Sequence, residues 1–254
     1  MRLSVFEVIN SVFRSLRVGR RRAIQLLAIM AIVTALAIVA RWPVTTSIGI
    51  DYRVTVKQLT LFEKAVAFVS RDLEMHRLMR GIAGIGGTPE QRLLRMYEWV
   101  NVNVHPVPPG LPIVDDHVLY IFVRRYGAID QRAEALAVLA SYDGMPATTL
   151  ALGKDPNRKL IQLTVVHLDG RLVVFDINNR IAFRKLSGEL ATIEDLRADA
   201  SIIRRVGEGI VVDGAPYHEH FQLLGEVDLS FVRMEAQRFW PRLRNELIGS
   251  LFSQ

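Results

Sequence analysis

Eighteen consecutive residues without a charge, Ala23 to Ala40 (AIQLLAIMAIVTALAIVA), constrain this chain more than any other feature. Gln25 and Thr34 are the only polar members. As a helix at about 1.5 Å per residue, the run covers roughly 27 Å, the thickness of a bilayer's hydrocarbon core. Arg20, Arg21 and Arg22 precede it, and Arg41 and Trp42 follow it. Arginines stay on the cytoplasmic side and tryptophan favours the interface. The expectation is a single-pass anchor over 23–41, with a basic segment 1–22 inside and everything C-terminal outside the cytoplasmic membrane. Two other readings compete. Ala35-Leu36-Ala37 fits the end of a cleaved secretion signal, and a shorter run of this kind also occurs as a buried soluble helix. Residues 1–18 carry Val5, Phe6, Ile9, Val12, Phe13 and Leu16 among arginines, a pattern for a helix lying on the inner leaflet.

The charge follows the same division. The chain of 254 residues has a net charge of +6. Residues 1–40 hold six arginines and one acid, so the remainder is close to neutral. That gives no electrostatic case for nucleic acid. Half the residues are apolar, ample for a core, which excludes a disordered chain. Cysteine is absent, which excludes disulfides, zinc–thiolate sites and a thiol nucleophile in this chain.

Beyond the run, residues 43–58 read as a linker or a first strand, and 59–254 as one domain. Leu59, Phe62, Val66, Val69, Leu73 and Leu78 have helical spacing over 59–80, which GIAGIGG (81–87) ends. Those glycines follow a helix and lack a Lys-Ser/Thr end, so they do not make a phosphate loop. Thr88-Pro89-Glu90-Gln91 starts a second helix with a capping box and runs to about Val104. A proline-rich loop, HPVPPGLP (105–112), leads to a short helix over Asp116–Arg125, then to another over 130–142. Residues 147–152, 160–168 and 171–177 read as strands, the last two joined at Asp169-Gly170. Thr192 opens a further helix. Helices followed by an antiparallel sheet make an α+β domain.

The stretch Thr88–Asp176 resembles the bacterial transglutaminase-like family of the papain-like cysteine hydrolases. Four features carry the likeness, in order: Tyr97-Glu98-Trp99-Val100 near a capped helix's end; the proline-rich loop into Val114-Asp115-Asp116-His117; Gly127-Ala128-Ile129-Asp130-Gln131, where the family has Gly-x-Cys-Asp-Gln; and the hairpin Asp169-Gly170-Arg171 to Asp176. Gly144-Met145-Pro146-Ala147 fits the family's turn after the nucleophile helix. The resemblance implies helices packed on an antiparallel sheet. It also implies a triad of cysteine, histidine fifteen residues before an aspartate, and that aspartate. These positions are Ile129, Ile161 and Asp176. Isoleucine neither attacks a carbonyl nor moves a proton, so the resemblance implies a degenerate triad, a filled pocket and no thiol chemistry. His167 shares the strand face of Leu163 but stands roughly 13 Å from the level of Asp176, too far to serve it.

The family's Asp-Gln makes Asp130 and Gln131 candidate ligand contacts, against a plain role at the start of a helix. Asp115-Asp116-His117 reads as acids at a helix start. His218 and His220, with Asp213 nearby, are weak metal candidates, sharing a face only if that stretch is extended. Phe239, Trp240, Leu243, Leu247, Ile248, Leu251 and Phe252 after Arg238 read as a C-terminal amphipathic helix. The expectation is an anchored binding or scaffolding module without cofactor, partnered by the membrane and by a protein of the envelope or of an exported-polysaccharide system. A metal-dependent hydrolase and a structural subunit of a membrane complex are the alternatives.

Overall fold

In the computed structural model, residues 24–84, 86–153, 160–222, 224 and 238 are described. The expected helices over 1–18 and 239–252 and the first residue of the apolar run lie outside them. The chain divides into two compact units, residues 1–46 with 56–67 and residues 47–55 with 68–254.

In the smaller unit, α1 (residues 24–40) is helical, and its apolar side chains face outward, Leu27 and Ile38 among them. The Thr34 hydroxyl donates to the Met30 carbonyl at 2.8 Å, so the polar group is satisfied within the helix. Among the described residues no helix is long and apolar enough to cross a membrane. The stretch read as a linker or one strand is two strands, β1 (Pro43–Ile50) and β2 (Arg53–Thr60), whose tip, residues 47–55, belongs to the larger unit. Their turn, Asp51-Tyr52, has φ of 47° and 63°. Both values are positive, as a two-residue hairpin of the right twist demands, but no glycine advertises it. At its other end, Leu61 N–H donates to the Trp42 carbonyl at 2.8 Å. Thr60 and Glu63 then cap the start of α2 (Leu61–Ala83) reciprocally.

The larger unit is built on a four-stranded antiparallel sheet in the order β6-β7-β8-β9. These are Ala147–Leu152, Ile161–Leu168, Arg171–Asp176 and Ile181–Ala182. Leu168 pairs with Arg171 across the expected turn, where Asp169 and Gly170 both have positive φ. On one face lies α5 (Ile129–Tyr142), surrounded by α3 (Pro89–Asn103), α4 (Val118–Arg124) and the end of α2. Their core takes Val166 and Leu168 from β7 and Val173 and Phe175 from β8. The other face carries α6 (Ile193–Ala198), α7 (Ala200–Val206) and a 3-10 turn at Tyr217–Phe221. It takes Ile161, Leu163, Val165 and Val174. The alternation follows from the period of two along a strand. Because both faces are covered, β7 is buried along almost its whole length.

Local signals explain the ends. Thr88 and Gln91 close the capping box of α3 with Pro89 at its first position. α4 starts two residues later than expected, because His117 is the cap: its Nδ1 accepts from Leu119 N–H at 3.1 Å. The mixed α+β class stands, with helices on both faces of the sheet.

Candidate functional site

The start of α5 is presented by two short strands. β3 (His105–Pro106) and β5 (Tyr126–Gly127) pair in parallel, which carries the proline-rich loop alongside Gly127. A Cβ on Gly127 would sit 3.2 Å from the Gln131 Cβ and 3.3 Å from Ile121, so glycine permits this close turn. Ala128 is the N-cap and Ile129 the first helical residue. Alanine offers no capping oxygen. Gln131 makes the reciprocal half of a capping box, its Oε1 accepting from Ala128 N–H at 3.1 Å.

Gln131 is thereby committed to structure. Its Nε2 donates to the Val114 carbonyl at 2.7 Å, and Arg124 donates to its Oε1 at 3.3 Å. Arg124 also binds Asp116 at 2.7 Å and the Val114 carbonyl at 2.9 Å. Burial raises the Asp116 carboxyl, and Arg124 beside it pulls the other way. Gln131, expected as a ligand contact, is instead the buried clasp between α4, α5 and β4 (Val114–Asp115). Asp130 differs. It is exposed, and among the described residues its Oδ1 accepts the neighbouring N–H, from Gln131 at 2.9 Å.

Below Ile129 lies a buried guanidinium. Arg132 donates to the Val104 carbonyl at 3.1 Å, to Asn178 Oδ1 at 3.1 Å and to the Ile177 carbonyl at 3.3 Å. Burial pulls Arg132 down from its ordinary value; Arg180 adds to that and Asp176 opposes it. Asn178 closes the bridge by donating its Nδ2 to the Ile129 carbonyl at 3.0 Å. Asp176 is fully buried and meets four donors: the N–H groups of Asn178 (2.9 Å) and Asn179 (3.0 Å), the Asn179 side chain (2.8 Å) and the Tyr217 hydroxyl (2.7 Å). The two backbone donors are the Asx-type turn that such a residue favours. Tyr217 comes from beyond any stretch the motifs covered. Burial, together with the Asp176 charge, pushes its hydroxyl far up. Tyr97, held chiefly by burial, rises to about 12.

The structure does not gather Ile129, Ile161 and Asp176 into one site. Ile161 and Asp176 do share a strand face, but it is the face opposite α5, and Ile161 packs there with Leu163 and Val165. Ile129 sits on the other side and is half-exposed. Two branched side chains filling one vacated pocket is therefore corrected: one is core and the other lines a cleft. The residues that share that cleft with Ile129 are Gln162, one step along β7, and Asn178, two steps beyond Asp176. The cleft measures about 600 Å³. Its walls are Pro106, Val107, Ile113, Ala128, Ile129, Leu160 and Tyr52; its polar members are Asp130, Arg132, Gln162 and Asn178. Gln162, Asn178 and Tyr52 were missed in the sequence. Thr164, whose hydroxyl donates to the Ala133 carbonyl of α5 at 2.9 Å, shares the strand parity of Gln162 and marks the face on which it lies.

The histidine pair does not form a site. The stretch is a 3-10 turn, not extended, so His218 is exposed while His220 is buried with its Nε2 at 3.0 Å from the Val212 carbonyl. Asp213 lies exposed in the turn between β10 (Val211–Val212) and β11 (Ala215–Pro216). Among the described residues, no group of three or more histidines, cysteines or acids is placed to hold a metal ion. Asp115 pairs with Gly49 of β1.

No family model matches the chain, and no curated protein matches it. Among solved structures, a candidate cysteine protease from Cytophaga hutchinsonii is similar at 15% identity with a TM-score of 0.36. The match covers 52% of this chain and 48% of that one, so the chain spans about half the length of the protein it resembles. A likeness that distant assigns no family.

Proposed function

We propose that this protein is a membrane-anchored binding module with a degenerate transglutaminase-like domain, holding a ligand at the start of α5 without turning it over. One observation carries it: the first position of α5, where the family's thiolate would sit, holds a half-exposed isoleucine. A helix N-terminus favours a thiolate, but has nothing to act on in Ile129. Among the described lining residues there is no thiol, imidazole or aliphatic hydroxyl. Arg132 and Asn178 are engaged with each other and with backbone. What remains toward solvent is an apolar wall with Asp130 and Gln162 set in it, which suits recognition more than chemistry.

The outward apolar side chains of α1 and the arginines before it support an anchor with the domain outside the cytoplasmic membrane. The envelope, or an exported-polysaccharide system, is the setting that topology favours. The test has two parts. Protease added to spheroplasts should digest the domain beyond Arg41; protection until lysis would refute the orientation. The purified chain should show no amide or ester turnover on generic substrates. Turnover lost on Asp130→Asn or Gln162→Ala would overturn the non-catalytic reading.

A further inference from the structure

The rim of the cleft carries a side chain that the degenerate-triad reading leaves unused. Tyr52 lines the cleft and is 88% exposed. Its φ of 63° lies in the left-handed region that favours glycine. A bulky aromatic there is strained, and a hairpin turn alone has no need of it. The turn is also fixed in place. Asp51 N–H donates to the Ile113 carbonyl at 2.8 Å, and Ile113 N–H donates to Asp51 Oδ1 at 2.8 Å. Gly49 pairs with Asp115 and Ile50 with Val114. A Cβ on Gly49 would come within 2.9 Å of the Asp115 Cβ, so the strand approaches this closely only with glycine. An exposed ring on a strained backbone is thus clamped at two points on the loop that walls the cleft.

We propose that the cleft is a binding site for a neutral polysaccharide segment, with Tyr52 as a stacking platform and Asp130 and Gln162 as hydroxyl partners. The proposal rests on the non-catalytic reading of the same cleft and names its ligand class. The chemistry matches part by part. One face of a pyranose ring is a patch of C–H groups, which packs on an aromatic face. Its rim is hydroxyls, each both donor and acceptor. A carboxylate accepts from them, and a carboxamide does both.

Charge selects the neutral members of the class. Arg132 is buried and spread over two carbonyls and Asn178, so it is not offered to a ligand anion. Among the described lining residues, the charge presented to the cleft is the exposed carboxylate of Asp130, which repels uronates. An extended peptide is the other polymer to weigh. It is usually bound along a free strand edge, whereas the strands at this wall, β3 and β5, are two residues each and offer little edge to extend. A volume of about 600 Å³ accommodates a few sugar rings.

The test is titration calorimetry on the full chain in nanodiscs, since many detergents carry sugar headgroups. The probes are neutral hexasaccharides (β-1,4-, β-1,3- and α-1,4-glucan, β-1,4-mannan), hexagalacturonate and an unrelated hexapeptide. At least one neutral hexasaccharide should bind, and hexagalacturonate should bind more weakly. Tyr52→Ala and Tyr52→Gly should each weaken binding roughly tenfold or more, and Tyr52→Trp should retain it. Tyr52→Gly should melt no lower than the parent, since glycine relieves the strained φ; this separates recognition from folding. Binding of no neutral hexasaccharide, or binding unchanged in Tyr52→Ala, or binding of the hexapeptide alone, would overturn the proposal. A reducing-end assay on the same samples checks the reading beneath it: sugar cleavage would refute an inactive cleft while leaving the glycan site standing.

Discussion

Two regions bridged by Asn178 treat their polar groups in opposite ways. At the end of β8, Asp176 is fully buried and meets four donors from Asn178, Asn179 and Tyr217. At the start of α5, Ile129 and Asp130 stand exposed, and among the described residues Asp130 bonds the N–H next to it. In the first region every group is answered from within the fold, as a buried carboxylate demands. In the second the fold leaves a polar group and an apolar surface facing solvent together. The lesson concerns what a motif position says. Asp176 matches the family's acid by order in the chain, yet here it is a structural carboxylate tying β8 to the 3-10 turn. Asn178 connects the regions, since it donates to Asp176 through its N–H and to the Ile129 carbonyl through its side chain.

The largest effect should come from breaking the saturated side. Asp176→Leu strands four donors, each costing about 1–3 kcal/mol when left unmet, though a deformed loop regains some through water. A loss of about 3–5 kcal/mol in urea melts is expected. Asp176→Asn keeps one acceptor but turns an NH₂ toward donors, and should lose about 1–2 kcal/mol. If Leu and Asn cost the same, charge rather than donor count holds the loop, and the contrast drawn here fails.

Next comes the pair of isoleucines, which the sequence sets side by side and the structure separates. Ile161 is 2% exposed in the core between β7 and α6. Truncation to alanine should cost about 2–4 kcal/mol, the usual range for a buried aliphatic that leaves a cavity. A cost below about 0.5 kcal/mol, the level of surface changes, would put Ile161 in an open cleft after all.

The tyrosines behind Asp176 give a smaller effect that depends on pH. Burial raises Tyr97 to about 12 and raises Tyr217 as well. An unfolded tyrosine loses its proton near pH 10. Between those values the unfolded state has released protons that the folded state keeps, so stability falls as pH rises. The favourable contribution is whole below pH 10. It should decline by up to about 1.4 kcal/mol per pH unit for each such tyrosine. Tyr97→Phe should flatten the slope between pH 10 and 11.5, measured by urea melts. An unchanged slope would mean that Tyr97 titrates normally.

Most of the scaffold was legible because its signals are local. Thr88-Pro89-Glu90-Gln91 and Thr192 announce their helices, and Asp169-Gly170 announces the hairpin that sets the register of β7 and β8. The site was less legible for a reason of layering. With helices on both faces of the sheet, β7 reads IQLTVVHL, its polar residues Gln162, Thr164 and His167 divided between the two faces, so parity toward α5 is hidden. Choosing Ile161 over Gln162 is a slip of one residue, and in a strand one residue is the whole difference between faces. Tyr52 was hidden by turn chemistry: Asp51-Tyr52 adopts positive φ at both places without the glycine that marks such turns. Tyr217 lies some forty residues beyond the aspartate it serves, a contact no spacing rule reaches.

The smallest effect belongs to Ile129, and it completes the comparison. Half-exposed at the first turn of α5, it buries little, so Ile129→Ala should change stability by less than about 0.5 kcal/mol. Alanine is the better helix former, which offsets part of the lost contact. The same position allows a sharper probe, because the chain has no cysteine. Ile129→Cys introduces a single thiol at a helix N-terminus, where the dipole favours the thiolate. Asp130 beside it opposes this, so a modest fall below the free value of about 8.5 is expected. Alkylation by iodoacetamide followed against pH reads that value directly. Rapid labelling in the folded chain, together with slow labelling of an Ile161→Cys variant until urea unfolds it, is the expected pattern. Slow labelling at 129 would mean that the cleft is closed in solution, and the contrast between a sealed carboxylate and an open helix start would lose its second half.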